Sequence, residues 1–425
     1  ADFGRRVSPG SRSRSVVGAG RRRVALRGPR PLCGTRLRGR GRVRLRLGGA
    51  RGRVRYLRSG TRGAREDLER SRELGQALGD REGEGVALGA LGQLLASRGE
   101  LGRAVDMLSE ALELLVTVDT PRETALVRAA LGSALTRNGD ARGAEAHLAA
   151  AVRGFRAGND TRSEALARMR LGTACRRLGK LDEARRHLTE ALDAQEGFGQ
   201  SRRTAEALEQ LGAVASQQGR LQDALTLFDK ALKRGRDLGE HRVAGRVACR
   251  MGMVLVEMEE MERAREAFNE GLALSSDTRS ASVSALAHAG LGMIGHATGR
   301  PDRALDHYRQ ASYQMAGRGE PRLQTAVLSL WAASAAEVGS SDEARESLHA
   351  VMARMRSAND TWVDHTGTLC QQWVRAETSN WAEQTDVRLR ELLDGMERLP
   401  DVPMVVRAVY RVARTRMRRA TFQTQ

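Results

Sequence analysis

A single spacing governs most of this chain. The pair Leu91-Gly92 returns as Leu131-Gly132, Leu171-Gly172, Leu211-Gly212, Met251-Gly252 and Leu291-Gly292, 40 residues apart each time, and a seventh copy reads Trp331-Ala332. A fixed period of this length marks a stack of similar supersecondary units, each too small to bury its apolar face without its neighbours. Twelve residues after the second position of each pair stands an alanine: Ala104, Ala144, Ala184, Ala224, Ala264, Ala304 and Ala344. Four residues on comes a large apolar column, Leu108, Leu148, Leu188, Phe228, Phe268, Tyr308 and Leu348; three further on comes a mostly small one, Ala111, Ala151, Ala191, Ala231, Gly271, Ala311 and Val351. Spacings of four and three place these columns on one face of a helix. A small–large–small stripe lets a neighbouring helix approach closely while the large residue fills the gap. Aromatics are only 3% of the chain, which suits a core built this way.

Two turn columns fix the frame. Gly99, Gly139, Gly179, Gly219, Gly299 and Gly339 separate the two apolar patterns, with Glu259 the one departure. A glycine there can take a positive φ and end a helix. Each repeat therefore reads as helix A, a tight turn and helix B. Between repeats stand Gly79, Asp119, Asn159, Gly199, Gly239, Gly319 and Asn359, with Arg279 the exception. The residues that follow, among them Asp80, Thr120, Asp160, Ser280 and Asp360, are of the kind that caps a helix or favours its dipole.

These columns resemble the tetratricopeptide repeat (TPR), with its Leu-Gly pair in helix A and its Ala, large apolar, Ala stripe in helix B. The resemblance covers about residues 81–360. It implies an all-α solenoid, a right-handed superhelix of antiparallel helical hairpins, with the usual period of about 34 residues lengthened to 40. The aromatic often found in helix A is replaced by Leu88, Arg128, Arg168, Leu208, Ala248, His288 and Leu328, and the proline at the end of helix B is missing. Gly92, Gly132, Gly172, Gly212, Gly252 and Gly292, with the seven column alanines, form the structural signature.

The ends depart from the pattern. Residues 1–63 hold 20 arginines, no lysine and one acid, Asp2, which accounts for the whole net charge of +19 and leaves residues 64–425 with as many acidic as basic groups. That segment reads either as a disordered Arg/Gly tail, unable to build a core, or as a reading-frame or fragment artefact of GC-rich coding sequence. The missing initiator Met and signal peptide fit a fragment. A nucleic-acid partner is expected only through this tail. Residues 64–78 read as a lone helix B, and the solenoid extends over 64–400, ending in a degenerate eighth hairpin at about 363–397. Residues 401–425 read as a basic capping helix, solvated at the end of the stack.

Motifs for catalysis are missing. There is no G-x-x-x-x-G-K-[ST], H-E-x-x-H or G-x-S-x-G. His147, His187 and His307 share one column, but stacking sets adjacent helices roughly 10 Å apart, so no metal is expected there. Cys33, Cys175, Cys249 and Cys370 form no C-x-x-C pair and read as small buried hydrophobes in a reducing compartment, so a cytoplasmic protein is expected. No catalytic residue, cofactor or membrane association is expected; no window approaches a membrane span.

The groove is the candidate site. By the TPR resemblance, helix A lines the concave surface, at positions two, five and six after the leucine of each pair. Those columns place Thr173, Arg137, Arg176, Arg177 and Gln217 at the second to fourth repeats and Met253 and Met293 at the fifth and sixth. The three arginines would receive an acidic peptide or protein, and the methionines an apolar one. Leu78-Gly-Asp-Arg-Glu-Gly-Glu and Leu238-Gly-Glu-His-Arg resemble segments of the C-terminal sensor arrays in bacterial STAND NTPases and SARP-class transcription activators. That resemblance implies a partner-sensing region of a signalling or transcriptional regulator; a free-standing adaptor is the alternative.

Overall fold

The computed structural model describes residues 61–423 except 200, 279, 316–320, 358–359, 380, 382 and 398–401. Every regular element among the described residues is a helix. An outer helix, α1 (Thr61–Leu78), precedes eight hairpins. These are α2 (Arg81–Arg98) with α3 (Leu101–Thr117), α4 (Pro121–Asn138) with α5 (Ala141–Ala157), α6 (Thr161–Arg177) with α7 (Leu181–Gly197), and α8 (Arg202–Gln217) with α9 (Leu221–Asp237). They continue as α10 (His241–Glu257) with α11 (Met261–Thr278), α12 (Ala281–Ala297) with α13 (Pro301–Met315), α14 (Pro321–Glu337) with α15 (Ser341–Ser357), and α16 (Thr361–Thr378) with α17 (Glu383–Glu397). A last helix, α18 (Met404–Gln423), follows. The segment 1–60, where the arginine-rich tail falls, lies outside the described residues.

The repeat columns explain one another. A Cβ added to Gly132 would lie 2.5 Å from Leu148 Cγ and 3.0 Å from the carbonyl oxygen of Ala144. Gly92 and Gly172 face Leu108 and Leu188 in the same way, and Gly212, Gly252 and Gly292 lie under the rings of Phe228, Phe268 and Tyr308. The glycine of each pair is therefore the socket for the large residue of the outer helix in the same hairpin, and the column alanine lets the two backbones come that close. The alanine column is fully buried from Ala104 to Ala304 and nearly so at Ala344. Each wholly buried large side chain stabilises by about 1.5–3 kcal/mol relative to exposure.

Both turn columns adopt the left-handed backbone at every described position. Gly99, Gly139, Gly179, Gly219, Gly299 and Gly339 have positive φ, and Glu259 follows them at φ 65°, at a cost of roughly 1–2 kcal/mol for a residue with a Cβ. Between repeats, Asp119 and Asn159 do the same at 48° and 52°. Asp80, Asp160 and Asp360 cap their inner helices by accepting from the backbone N–H of Gly83, Ser163 and Trp362. Thr120 does not; its hydroxyl donates to the Leu115 carbonyl at 3.3 Å.

Consecutive inner helices touch from α2 through α12, and α14 touches α16, whereas the outer helices meet one another weakly or not at all. The inner set is therefore on the tighter, concave side. The C-terminal helix departs from expectation. It does not sit solvated on the end of the stack; α18 turns back and packs on α8, α10, α12, α14 and α16. The reason lies in its apolar residues. Val406, Val409, Ala413, Met417 and Ala420 recur every three or four residues and are all buried, a stripe too continuous to leave in water.

Candidate binding groove

The groove divides in two. In its first half, α2, α4 and α6 enclose an open cavity of about 390 Å³, lined by Gln93, Ala96, Ser133, Arg137, Leu126 and Arg170, among others. Arg137 is exposed and its Nη1 donates to the Ala96 carbonyl at 2.6 Å. Ala96 lies in the last turn of α2, where carbonyls lack intrahelical partners and the helix dipole is negative, so a guanidinium is well placed there. Arg170 also reaches back to the preceding inner helix, donating to the Ala129 carbonyl in the middle of α4 at 3.3 Å. Burial, with the nearby Arg203, lowers its pKa, though no change of charge at neutral pH follows for an arginine.

The second half holds α18, with a cleft of about 680 Å³ left along one flank of that helix. Met253 and Met293 are buried against Val405 and Ala408 of α18, leaving a void of only about 10 Å³. Beside this apolar seam, α18 presents arginines to the ends of three successive inner helices. Arg407 donates to the carbonyls of Ser216 and Gln217, both at 3.2 Å, and to Glu257 Oε1 at 2.7 Å. Arg411 donates to the carbonyls of Val256 and Glu257. Arg419 donates to those of His296 and Ala297 at 2.8 and 2.6 Å. The three carbonyl pairs are the last two residues of α8, α10 and α12, equivalent positions 40 residues apart. Arg416 faces the other way, 2.8 Å from Glu337 and 2.9 Å from Glu377. Glu377 also accepts from the indoles of Trp373 and Trp381, and Glu337 touches the buried His296, whose Nδ1 meets the Tyr308 hydroxyl at 3.1 Å. Burial pushes the Glu377 carboxyl up, with Arg416 opposing.

Comparison with known proteins agrees with this architecture. Residues 158–315 match the family model of the MalT-like TPR region. No curated relative matches the chain. Among solved structures, a Rap protein complexed with competence and sporulation factor is similar at TM-score 0.56 and 13% identity, over 90% of this chain and 99% of that one. The Rap conjugation gene regulator of plasmid pLS20, in complex with the Phr* peptide, gives 0.51 and 16%, over 66% and 77%. Aspartyl phosphate phosphatase F from Bacillus subtilis gives 0.53 and 13%, over 87% and 96%. The fold is a TPR-like solenoid.

Within this TPR-like groove the residues singled out from the sequence part company. Arg137 lies on α4 and Arg176 and Arg177 on the adjacent α6, but Arg137 reaches back to α2 while Arg176 Nη1 reaches forward to Gln217 Oε1 on α8, at 3.4 Å. Thr173 donates to the Met169 carbonyl of its own helix. Gln217 is buried, joined to Arg176 by its side chain and to Arg407 by its carbonyl. The sequence reading missed Arg170, one position before the Leu-Gly pair, and missed every contact of α18. Only the arginine spacing in α18 hinted at the latter.

Of the histidine column, His307 meets His288 rather than its column mates, with ring nitrogens 3.3 Å apart; burial lowers the pKa of both. His187 instead joins Cys175 and Glu183, whose ligand atoms lie within 4.8 Å of one another and could hold a metal ion. Burial pushes the Cys175 thiol up to about 11, which opposes the thiolate that ligation needs. Cys175, Cys249 and Cys370 are free and buried. Another missed feature is structural: Glu209 of α8, wholly buried, is clamped by Arg246 at 2.5 Å and Arg250 at 2.8 Å. Burial pushes its carboxyl up, but the two arginines outweigh that and hold it below the ordinary value.

Proposed function

We propose that this chain is a non-enzymatic interaction scaffold that takes a protein or peptide segment into the open half of its concave groove. The observation that carries this reading is the cavity between α2, α4 and α6, with Arg137 and Arg170 on its wall. An elongated cleft with cationic donors and small apolar side chains suits an extended acidic segment. The peptides named with the Rap structures favour the same class of ligand here, although at these identities only the fold is shared. No nucleophile and base converge in the cleft, and we assign it no catalytic residue, cofactor or metal. None of the helices is long and apolar enough to cross a membrane. On the resemblance of its inter-repeat segments, the scaffold serves as the partner-sensing array of a bacterial signalling or transcriptional regulator in the cytoplasm. A nucleic-acid role through residues 1–63 has no support among the described residues.

The test is selection of displayed random peptides on the full chain and on Arg137→Ser/Arg170→Ser, with helicity checked on both. The reading expects acidic peptides to be enriched on the first and lost on the second. Identical selections from both would remove the acidic-ligand assignment.

A further inference from the structure

The second half of the groove already shows its ligand. Three features define what it accepts. First, the carbonyls at the ends of α8, α10 and α12 form a row of negative dipole ends, and each carbonyl has lone pairs to spare for a guanidinium. Second, Glu257, Glu337 and Glu377 line the same surface with side chains 11%, 14% and 3% exposed, and all three are engaged by α18 arginines. Carboxylates so poorly hydrated need a cation beside them. Third, Met253 and Met293 provide an apolar floor between the two polar edges. An occupant must therefore be a helix with an apolar stripe and arginines on both flanks.

Length agrees as well. Arg407 to Arg419 spans twelve residues, about 18 Å of helix, which matches two helix-to-helix steps of roughly 8–10 Å. That is the distance from the end of α8 to the end of α12, the helices those arginines reach. Recognition thus rests on a spacing, Arg-x3-Arg-x4-Arg-x2-Arg, set on an apolar stripe.

Nothing in these contacts requires that the helix belong to the same chain. Its seat is also incompletely packed, because a cavity of about 680 Å³ is lined by Arg414 and Arg418 of α18 together with Met293 and Ala297 of α12 and Met396 of α17.

We propose that α18 is an exchangeable ligand held in cis, and that the groove of α8 to α16 is a receptor for an arginine-bearing amphipathic helix of a partner protein, which binds by displacing it. This proposal concerns a different half of the groove from the acidic-peptide reading and survives its failure.

The probe is a fluorescein-labelled synthetic peptide of residues 402–423, followed by fluorescence anisotropy against two full-length chains. One is unaltered; the other is Arg407→Ser/Arg411→Ser/Arg416→Ser/Arg419→Ser, which weakens the cis occupant and leaves the receptor surface intact. Relieving an internal competitor raises apparent affinity by the fraction of sites released. The peptide should bind the altered chain at least about tenfold more tightly than the unaltered one, and a peptide with all four arginines replaced by serine should bind neither. Failure of the arginine peptide to bind an altered chain that keeps its helical circular dichroism overturns the proposal. Should the altered chain not fold, amide hydrogen exchange on the unaltered chain decides. The α18 amides should exchange at least about tenfold faster than those of α10 and α12, through local release. Equal protection of all three helices makes α18 a fixed part of the fold and overturns the proposal.

Discussion

The two halves of the groove are built from the same repeat and end differently. In the first, α2, α4 and α6 leave a cavity open, and the end of α2 is met by Arg137 from the next repeat. In the second, the equivalent carbonyls of Ser216, Val256 and His296 are met by arginines of α18. Ala96, Ser216, Val256 and His296 occupy one column, so the same electrostatic need is answered from within the stack in one half and from outside it in the other. The cores differ in parallel. Leu108, Leu148 and Leu188 fill the glycine sockets of the open half, and Phe228, Phe268 and Tyr308 those of the filled half. A solenoid repeat thus dictates the backbone and the core, while the groove surface is left free to differ.

That comparison can be broken most severely at the junction. Glu209→Gln should cost about 3 kcal/mol, because Arg246 and Arg250 lose the carboxylate that compensates their burial. Thermal melting should show the loss, and a split into two transitions is the expected form, since solenoid cooperativity runs through neighbour contacts. A change in midpoint within error of zero would mean the clamp carries nothing. Ala184→Leu in the open half and Ala304→Leu in the filled half should each cost about 1–3 kcal/mol by overpacking. Similar losses in chemical denaturation would show that the halves share one core design; an unaltered midpoint at either site would deny that its alanine is a close-approach point.

Glycine sockets should separate the halves more finely. Gly172→Ala meets Leu188, which can shift, and should cost about 1 kcal/mol net of the gain in helix propensity. Gly292→Ala meets the Tyr308 ring, tied to His296 at 3.1 Å, and should cost more, about 2 kcal/mol. The reverse order in melting temperature would contradict this account of the sockets. The smallest effect concerns a cap. The backbone N–H of Ser163, followed by its hydroxyl, holds the Asp160 carboxyl below its ordinary value. A depressed carboxyl contributes stability above its unfolded pKa, about 3.9, and loses it as pH falls through the folded value. Asp160→Asn keeps the capping acceptor, so it should change stability at neutral pH by only a few tenths of a kcal/mol and flatten the acid limb of a stability–pH curve. An unchanged acid limb would exclude this carboxyl as a contributor.

Much of the fold was legible because its information is local. Gly132, Ala144 and Leu148 meet within one hairpin, and their columns announce that meeting six times over, with Ala332 in a seventh copy. Left-handed Asp119 and Asn159 were legible for the same reason, as residue types that tolerate that backbone. The groove was not. Arg407 finds its partners 150 and more residues away, on the Glu257 carboxylate and on backbone carbonyls that any sequence would supply. An apolar stripe with arginines on its flanks looks the same whether it caps a stack or lies in its groove. Arg137 and Arg176 share a neighbourhood in sequence terms, yet their side chains turn to opposite neighbours, a choice made by the ends of α2 and the side chain of Gln217.

The central claim, one half open and one half filled, is tested most directly by cysteine accessibility in the full-length chain. With Cys33 replaced by serine, the remaining native Cys175, Cys249 and Cys370 are buried and give a low background. Ser133→Cys places a thiol on the wall of the open cavity, and Met253→Cys places one beneath α18. Under native conditions a maleimide should modify the first at least about tenfold faster than the second, whose labelling must await local opening. Equal rates at the two positions would contradict the division of the groove on which the account rests.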